Sequence, residues 1–270
     1  MKKILCGVLV FFSFLVVSKD VVFASGVERY YKSTIYYDKQ FNIVDINEEE
    51  VTKEEIDSVN FDELSLEKIN YGDGIELASY GWPAYVETDY KKVGVDCFKS
   101  NLDKSYTYVS AEAMWYKEPR VKQFDIIALR WDGSAQIVDV GGKQSVIGKT
   151  QAYEATYFDN NKNIKRFSKG AGISMNLFDN GVELFTLDIL IKVKNANLGT
   201  VYASYQHAVT NNITLAESQK YTLSSSGLGN VINFTSSTTR KKYDGMAGPS
   251  YSCSNPIVIN TDTLDVKGLL

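Results

Sequence analysis

The chain has 270 residues, of which 44% are hydrophobic and 13% aromatic, and its 29 basic against 33 acidic residues leave a net charge of −4. That balance argues against a dedicated nucleic-acid binder, which carries a basic excess. A single histidine, His207, removes every site that needs two, most zinc enzymes among them.

The first residues read as an export leader. Lys2 and Lys3 precede an uncharged stretch from Ile4 to Val17, and Val22 and Ala24 are small residues placed for cleavage after Ala24. The apolar run is shorter than the roughly 20 residues that a spanning helix needs. An uncleaved anchor and a cut after Ser18 are the alternatives. Residues 1–24 are therefore set aside as a signal peptide.

Residues 25–103 form a Tyr-rich and then acidic N-terminal segment. Tyr30, Tyr31, Tyr36 and Tyr37 stand at its start, and Asp45 to Glu67 is strongly acidic. Thr52-Lys-Glu-Glu55 fits a capping box and predicts a short helix over about 53–60. Around it the reading is a solvated linker, with an acidic pro-segment or docking arm as the alternative.

From 104 to 260 the sequence reads as strands. Thr107, Val109, Ala111, Ala113 and Trp115 alternate with Tyr108, Ser110, Glu112 and Met114, and Pro119 ends the run. Phe124 to Trp131 is the next strand. Asp132-Gly133 is a hairpin signal returning through Ala135 to Val140, where Gly141-Gly142 stops it. Val146 to Phe158 is extended, Asp159 to Asn163 is its turn, and Ile164 to Phe178 continues, bent at Gly170 and Gly172. Asn180-Gly181 signals another hairpin. In the strand after it Phe185, Leu187, Ile189, Ile191 and Val193 share one face. Thr200 to Val209 and Val231 to Thr235 add two more. The pattern predicts an all-β chain, an antiparallel β-sandwich with a closed barrel as runner-up. Residues 261–270 are a C-terminal tail without a sorting signal, so the protein is expected to be secreted, released or held to a surface by non-covalent contacts. No segment of the mature chain is apolar enough to span a bilayer.

Catalytic chemistry is sparse. A Ser–His–Asp triad or a Cys–His pair would have to use His207, which sits in a strand-like stretch and reads as a structural or surface residue. Paired carboxylates could support glycoside hydrolysis, but sequence alone does not pair them. Cys97 and Cys253 are a disulfide candidate if the compartment is oxidising. Asp159, Asn161 and Asn163 match the opening of a calcium loop, yet Ile164 and Gly170 occupy its Gly and Glu positions. Ser224 to Asn230 looks like a phosphate loop but lacks the following Lys. Lys162, Lys165, Arg166 and Lys169, and the group Arg240 to Lys242, read as solvated loops, with an anionic wall polymer as the sharper alternative. No cofactor or metal is expected.

Aromatics carry the functional expectation. Tyr and Trp offer large contact area with a polar tip. Trp115 alternates with core positions and reads as core. Trp82 and Tyr85, in Tyr80-Gly-Trp-Pro-Ala-Tyr85, and Trp131 beside its turn are the candidate binding residues. Trp115-Tyr-Lys-Glu-Pro-Arg-Val-Lys-Gln-Phe-Asp-Ile-Ile-Ala-Leu-Arg-Trp131, Tyr205-Gln-His207 and Tyr243-Asp-Gly-Met-Ala-Gly248 resemble segments of uncharacterised exported proteins of Gram-positive, spore-forming bacteria. The resemblance covers roughly residues 105–250 and implies an exported β domain, with no activity attached. The leading expectation is a secreted, non-catalytic sandwich that contacts a cell-envelope polymer or another extracellular protein. A carboxylate-dependent secreted hydrolase and a β-type pore former are the alternatives.

Overall fold

The computed structural model describes residues 28–37, 43–58, 83–100, 104–147, 151–178, 184–194, 197–225, 230–254 and 256–259. Two strands come first, β1 (Glu28–Tyr37) and β2 (Ile43–Val51), followed by the short helix α1 (Lys53–Ser58). The capping box acts as the spacing implies, with Glu55 N donating to Thr52 Oγ1 at 3.1 Å. Next come β3 (Ala84–Glu87), β4 (Lys91–Ser100), β5 (Tyr106–Trp115), β6 (Phe124–Trp131), β7 (Gln136–Ile147) and β8 (Gln151–Tyr157). The strands β9 (Ile164–Phe167), β10 (Gly170–Asn176), β11 (Leu184–Lys194) and β12 (Thr200–Ala208) continue the chain. After α2 (Leu215–Ser218), β13 (Tyr221–Leu223), β14 (Ile232–Phe234) and α3 (Ser237–Arg240), it closes with β15 (Tyr243–Ser252) and β16 (Ile257–Ile259).

These strands build an all-β sandwich. A nine-stranded sheet runs β16-β4-β5-β11-β7-β8-β1-β2, with β3 also paired to β4, and a five-stranded sheet runs β15-β12-β6-β10-β9. All pairs are antiparallel except β16 with β4. Strand alternation turns Val95, Val109, Ile189 and Ile191 of the large sheet towards Ile127, Leu129, Ala203 and Tyr205 of the small one, and these side chains form the main core. A second core lies on the other face of the small sheet, where Ile126, Ala128 and Tyr202 pack under Ile213, Tyr221 and Ile232 of the excursion between β12 and β15.

Residues 28–51 and 84–100 are not apart from the sandwich. β1 pairs with β8 and β4 with β5, so the large sheet runs unbroken across residue 104, where the sequence pattern changes. The linker reading is corrected for residues 45–51, which lie in β2, while residues 59–67 lie outside the described residues.

The turn signals also resolve differently. Asp132-Gly133 does not close a hairpin, because β6 and β7 lie in different sheets. Gly133 N donates to Leu198 O at 2.9 Å and Ser134 N to Asn197 O at 2.9 Å, so the turn is laid against the 197–199 backbone. A Cβ at Gly133 would stand 1.7 Å from Asn197 O, which only glycine avoids. Asp159 to Asn163 likewise joins β8 in the large sheet to β9 in the small one. The expected single strand from Ile164 to Phe178 is a tight hairpin, β9 with β10, in which Phe167 faces Gly170. Asn180-Gly181 lies outside the described residues, and the strands flanking it belong to different sheets. Gly141 and Gly142 do not stop β7. They sit inside it opposite Leu190 and Ile189, and Gly142 leaves room for the Ile173 side chain.

Candidate functional site

One end of the sandwich gathers the unusual side chains. It is built by the β3–β4 turn, the 116–123 loop before β6, the end of β12 and the start of β15. Thr88 closes the turn: its N–H donates to Lys91 O at 2.8 Å, and its Oγ1 accepts from Lys91 N at 3.1 Å. Tyr116 N donates to Tyr90 O at 2.7 Å and joins the turn to the loop.

Alternation along β4 sends its two lysines in opposite directions. Lys92 lies over the Tyr85 ring, 4.1 Å from its centroid. Lys117 lies over the Tyr90 ring at 4.7 Å. Tyr85 is 52% exposed and Tyr90 54%, with Val86 between them also exposed. Tyr116 Oη donates to Glu87 Oε1. A polar cleft of about 440 Å³ is lined by Glu118, Pro119, Arg120, Lys122 and Gln123 of the 116–123 loop and by Asn211.

Lys91 points the other way, into the mouth of the core. Its Nζ lies 5.0 Å from the Trp115 ring centroid, 5.5 Å from that of Tyr205 and 4.0 Å from Asp244 Oδ2. Burial lowers its pKa, against the raising influence of Asp244 and Asp125. Behind it Asp125 is completely buried. Its Oδ1 accepts from Ala208 N at 2.8 Å, and its Oδ2 accepts from Tyr205 Oη and from His207 Nδ1 at 2.9 Å. Trp115 Nε1 donates to Tyr205 Oη at 2.7 Å, and its ring meets His207 edge-on. Burial, then Asp125, pushes the Tyr205 phenol well above its ordinary value.

This is an imidazole oriented by a buried carboxylate, two members of a triad. Among the described residues no serine hydrogen-bonds His207, and the thiols are spent. Cys97 and Cys253 form a disulfide with Cα atoms 6.0 Å apart, which removes the Cys–His pair. The network ties the β5, β6 and β12 ends together across the mouth of the core.

A second group of titratable residues lies on the face of the large sheet turned away from the core. Glu112 on β5 stands directly opposite Asp188 on β11, which stands opposite Lys143 on β7. All three are buried, as is Glu154, whose Oε1 lies 3.3 Å from Lys143 Nζ. Both faces of β5 are buried. Neither carboxylate oxygen of Glu112 has a hydrogen-bond partner. Burial, and then the facing Asp188, raises the Glu112 pKa well above its ordinary value. Burial pushes Asp188 up to about 7, against the pull of Lys143.

The expected contact residues separate. Tyr85 is on the exposed patch. Trp131 is not a contact residue: it is fully buried, and its Nε1 donates to Ala135 O at 3.2 Å. The turn beside it folds inward over Leu198 instead of outward into water. Trp82 lies outside the described residues. Tyr90, Lys92 and Lys117 were not singled out by sequence reasoning, although Tyr90-Lys-Lys92 is an aromatic followed by two cations of opposite facing. The basic clusters are largely engaged: Lys165 Nζ donates to Gln219 O and Tyr221 O, Arg166 pairs with Asp159, Lys169 Nζ donates to Asp132 O, and Lys242 pairs with Glu217. The calcium-like stretch is held by its own amides, Asn161 Oδ1 accepting from Asn163 N and Asn163 Nδ2 donating to Ser174 O. Among the described residues no group of three or more His, Cys, Asp or Glu is placed to hold a metal. None of their helices is long and apolar enough to cross a membrane.

Fold and site together define an antiparallel β-sandwich protein with an aromatic and cationic patch at one end. No family model matches the chain, and no curated protein matches it.

Proposed function

We propose that this is a secreted, non-catalytic sandwich that contacts a cell-envelope polymer or another extracellular protein through the β3–β4 end. The observation that carries the reading is the exposure of Tyr85 and Tyr90, two large rings each held under a lysine, on a rigidly closed turn. Rings of this kind offer contact area at low entropic cost and are enriched among binding hot spots. The leader pattern and the buried Cys97–Cys253 bond support export, since disulfides persist in oxidising compartments. Co-sedimentation of the purified protein with washed cell walls tests it, beside Tyr85→Ala and Tyr90→Ala variants with unchanged circular dichroism. Each truncation is expected to weaken binding by about 2 kcal/mol. Equal binding by both variants moves the contact elsewhere.

The Glu112–Asp188 opposition supplies the adjacent carboxyls of raised pKa that a carboxylate-dependent hydrolase would need, but both are buried and line no described cleft, which weighs against that second reading. Release of reducing ends from wall glycan that vanishes in both Glu112→Gln and Asp188→Asn would establish that reading; no release removes it.

A further inference from the structure

The charges of the β3–β4 end sort into those already answered and those that are not. Lys122 is paired with Glu118, and Lys91 faces Asp244. Glu87 accepts the Tyr116 hydroxyl. Among the described residues no carboxylate forms an ion pair with Lys92, Lys117 or Arg120. Two of these cations rest on aromatic faces, which fixes an ammonium in place without neutralising it. The third, Arg120, lines the cleft of the 116–123 loop. Three cations without a salt bridge among the described residues thus stand on β4, in the loop after β5 and in the cleft lining, Lys92 lying opposite Glu87 in register and within the electrostatic reach of Glu112. In the basic clusters elsewhere, Lys165, Arg166, Lys169 and Lys242 are spent on backbone carbonyls and carboxylates of the protein itself, while the exposed Lys162, Arg240 and Lys241 rest on no aromatic ring among the described residues.

From this we infer that the β3–β4 end takes a linear phosphodiester polymer of the cell wall, with Lys92, Lys117 and Arg120 each meeting a phosphate along the strand of polymer. The inference rests on the polymer-contact reading above and narrows it to one chemistry. Both kinds of cation serve phosphate, lysine as a point charge and arginine through its bidentate fork. The exposed edges of Tyr85 and Tyr90 cover the apolar part of each repeat. A duplex nucleic acid or an anionic bilayer would face the acidic remainder of the chain, whose net charge is −4, while a thin polymer touches only these cations. Asp89, at the tip of the turn, stands against the ligand and weakens it.

The test is co-sedimentation of the purified protein with wall sacculi that retain their phosphodiester polymer and with the same sacculi after cold hydrofluoric acid, which cleaves phosphodiesters. Binding is expected to fall roughly tenfold on extraction, and by a similar factor for Lys92→Gln/Lys117→Gln on intact sacculi. It should weaken as salt rises from about 0.05 M to about 0.5 M, and Asp89→Asn should bind more tightly. Equal binding before and after extraction, with the lysine variant unaffected and Tyr85→Ala impaired, overturns the phosphate chemistry and leaves polymer contact standing. Stronger binding to polyuronate, to phosphatidylglycerol vesicles or to an oligonucleotide than to intact sacculi overturns it in favour of that ligand. Failure to bind any sacculus overturns both readings together.

Discussion

Two buried polar clusters among the described residues solve the same problem in opposite ways. At the end of the sandwich, Asp125 is surrounded by donors: the Tyr205 hydroxyl, the His207 imidazole and the Ala208 amide all converge on one carboxylate. On the far face of the large sheet, Glu112 has no donor at all and looks across at a second acid, Asp188. A buried polar group costs little when its partners are present and a great deal when they are absent. The first cluster is therefore a fastener. The second is a source of instability that Lys143 offsets in part and the holding of protons relieves further, so its tolerance depends on pH.

Removing the fastener has the largest expected effect. Asp125→Ala leaves three buried donors without an acceptor and should cost roughly 3–5 kcal/mol in denaturant unfolding. A loss below about 1 kcal/mol would mean that the network is ornamental and the contrast empty. The second cluster predicts a gain. Asp188 sits at about 7 in the fold against an ordinary 3.8, so between these values the folded state keeps a proton that the unfolded chain releases. Its stabilising contribution is complete below the ordinary value and is lost as pH rises through about 7. Asp188→Asn should flatten that part of the stability profile and stabilise the protein at pH above this range by up to about 4 kcal/mol. Asp96, raised by burial to about 6, leaves a shallower slope behind. Thermal unfolding across the acid-to-neutral range reads both, and a destabilised Asp188→Asn at every pH breaks the comparison. The smallest effect belongs to Tyr205→Phe. It deletes one donor to Asp125 and the acceptor of Trp115 Nε1, for a cost of about 1–2 kcal/mol, and a neutral result would place the fastening in His207 and Ala208 alone.

How much of this was readable in advance follows from the kind of signal involved. β5, β6, β11 and β12 announce themselves through period-two patterns and β-branched or aromatic residues, and α1 through its capping box. β1 to β4 do not. Their strands mix Tyr, Lys, Asp and Glu on both faces, and the clue that remained, the density of Tyr, Ile and Val, is the weaker one. Asp-Gly and Asn-Gly are turn signals and were read as hairpins, but a sandwich also turns when the chain passes from one sheet to the other, and local sequence does not distinguish the two. The site was hidden for a related reason. Asp125 and His207 are 82 residues apart and meet only because β6 and β12 are neighbours. Lys92 and Tyr85 meet diagonally across a β3–β4 pair that the sequence does not mark. Trp131 misled because nearness to a turn implies exposure only when the turn points outward.

The Cys97–Cys253 bond has a consequence in time. The outer edge of β4 is shared: β3 covers it from Lys92 to Val95 and β16 from Phe98 to Ser100, and Cys97 sits where one partner gives way to the other. The covering strand and the bonding thiol both come from the last part of the chain, 156 residues along from Cys97. Contacts of such separation form late, after much loop entropy has been lost. A chain delivered N-terminus first would carry the large sheet with part of this edge unpaired until residues 253–259 arrive. A product cut short before residue 253 would keep an open strand edge, the surface on which sheets add to one another.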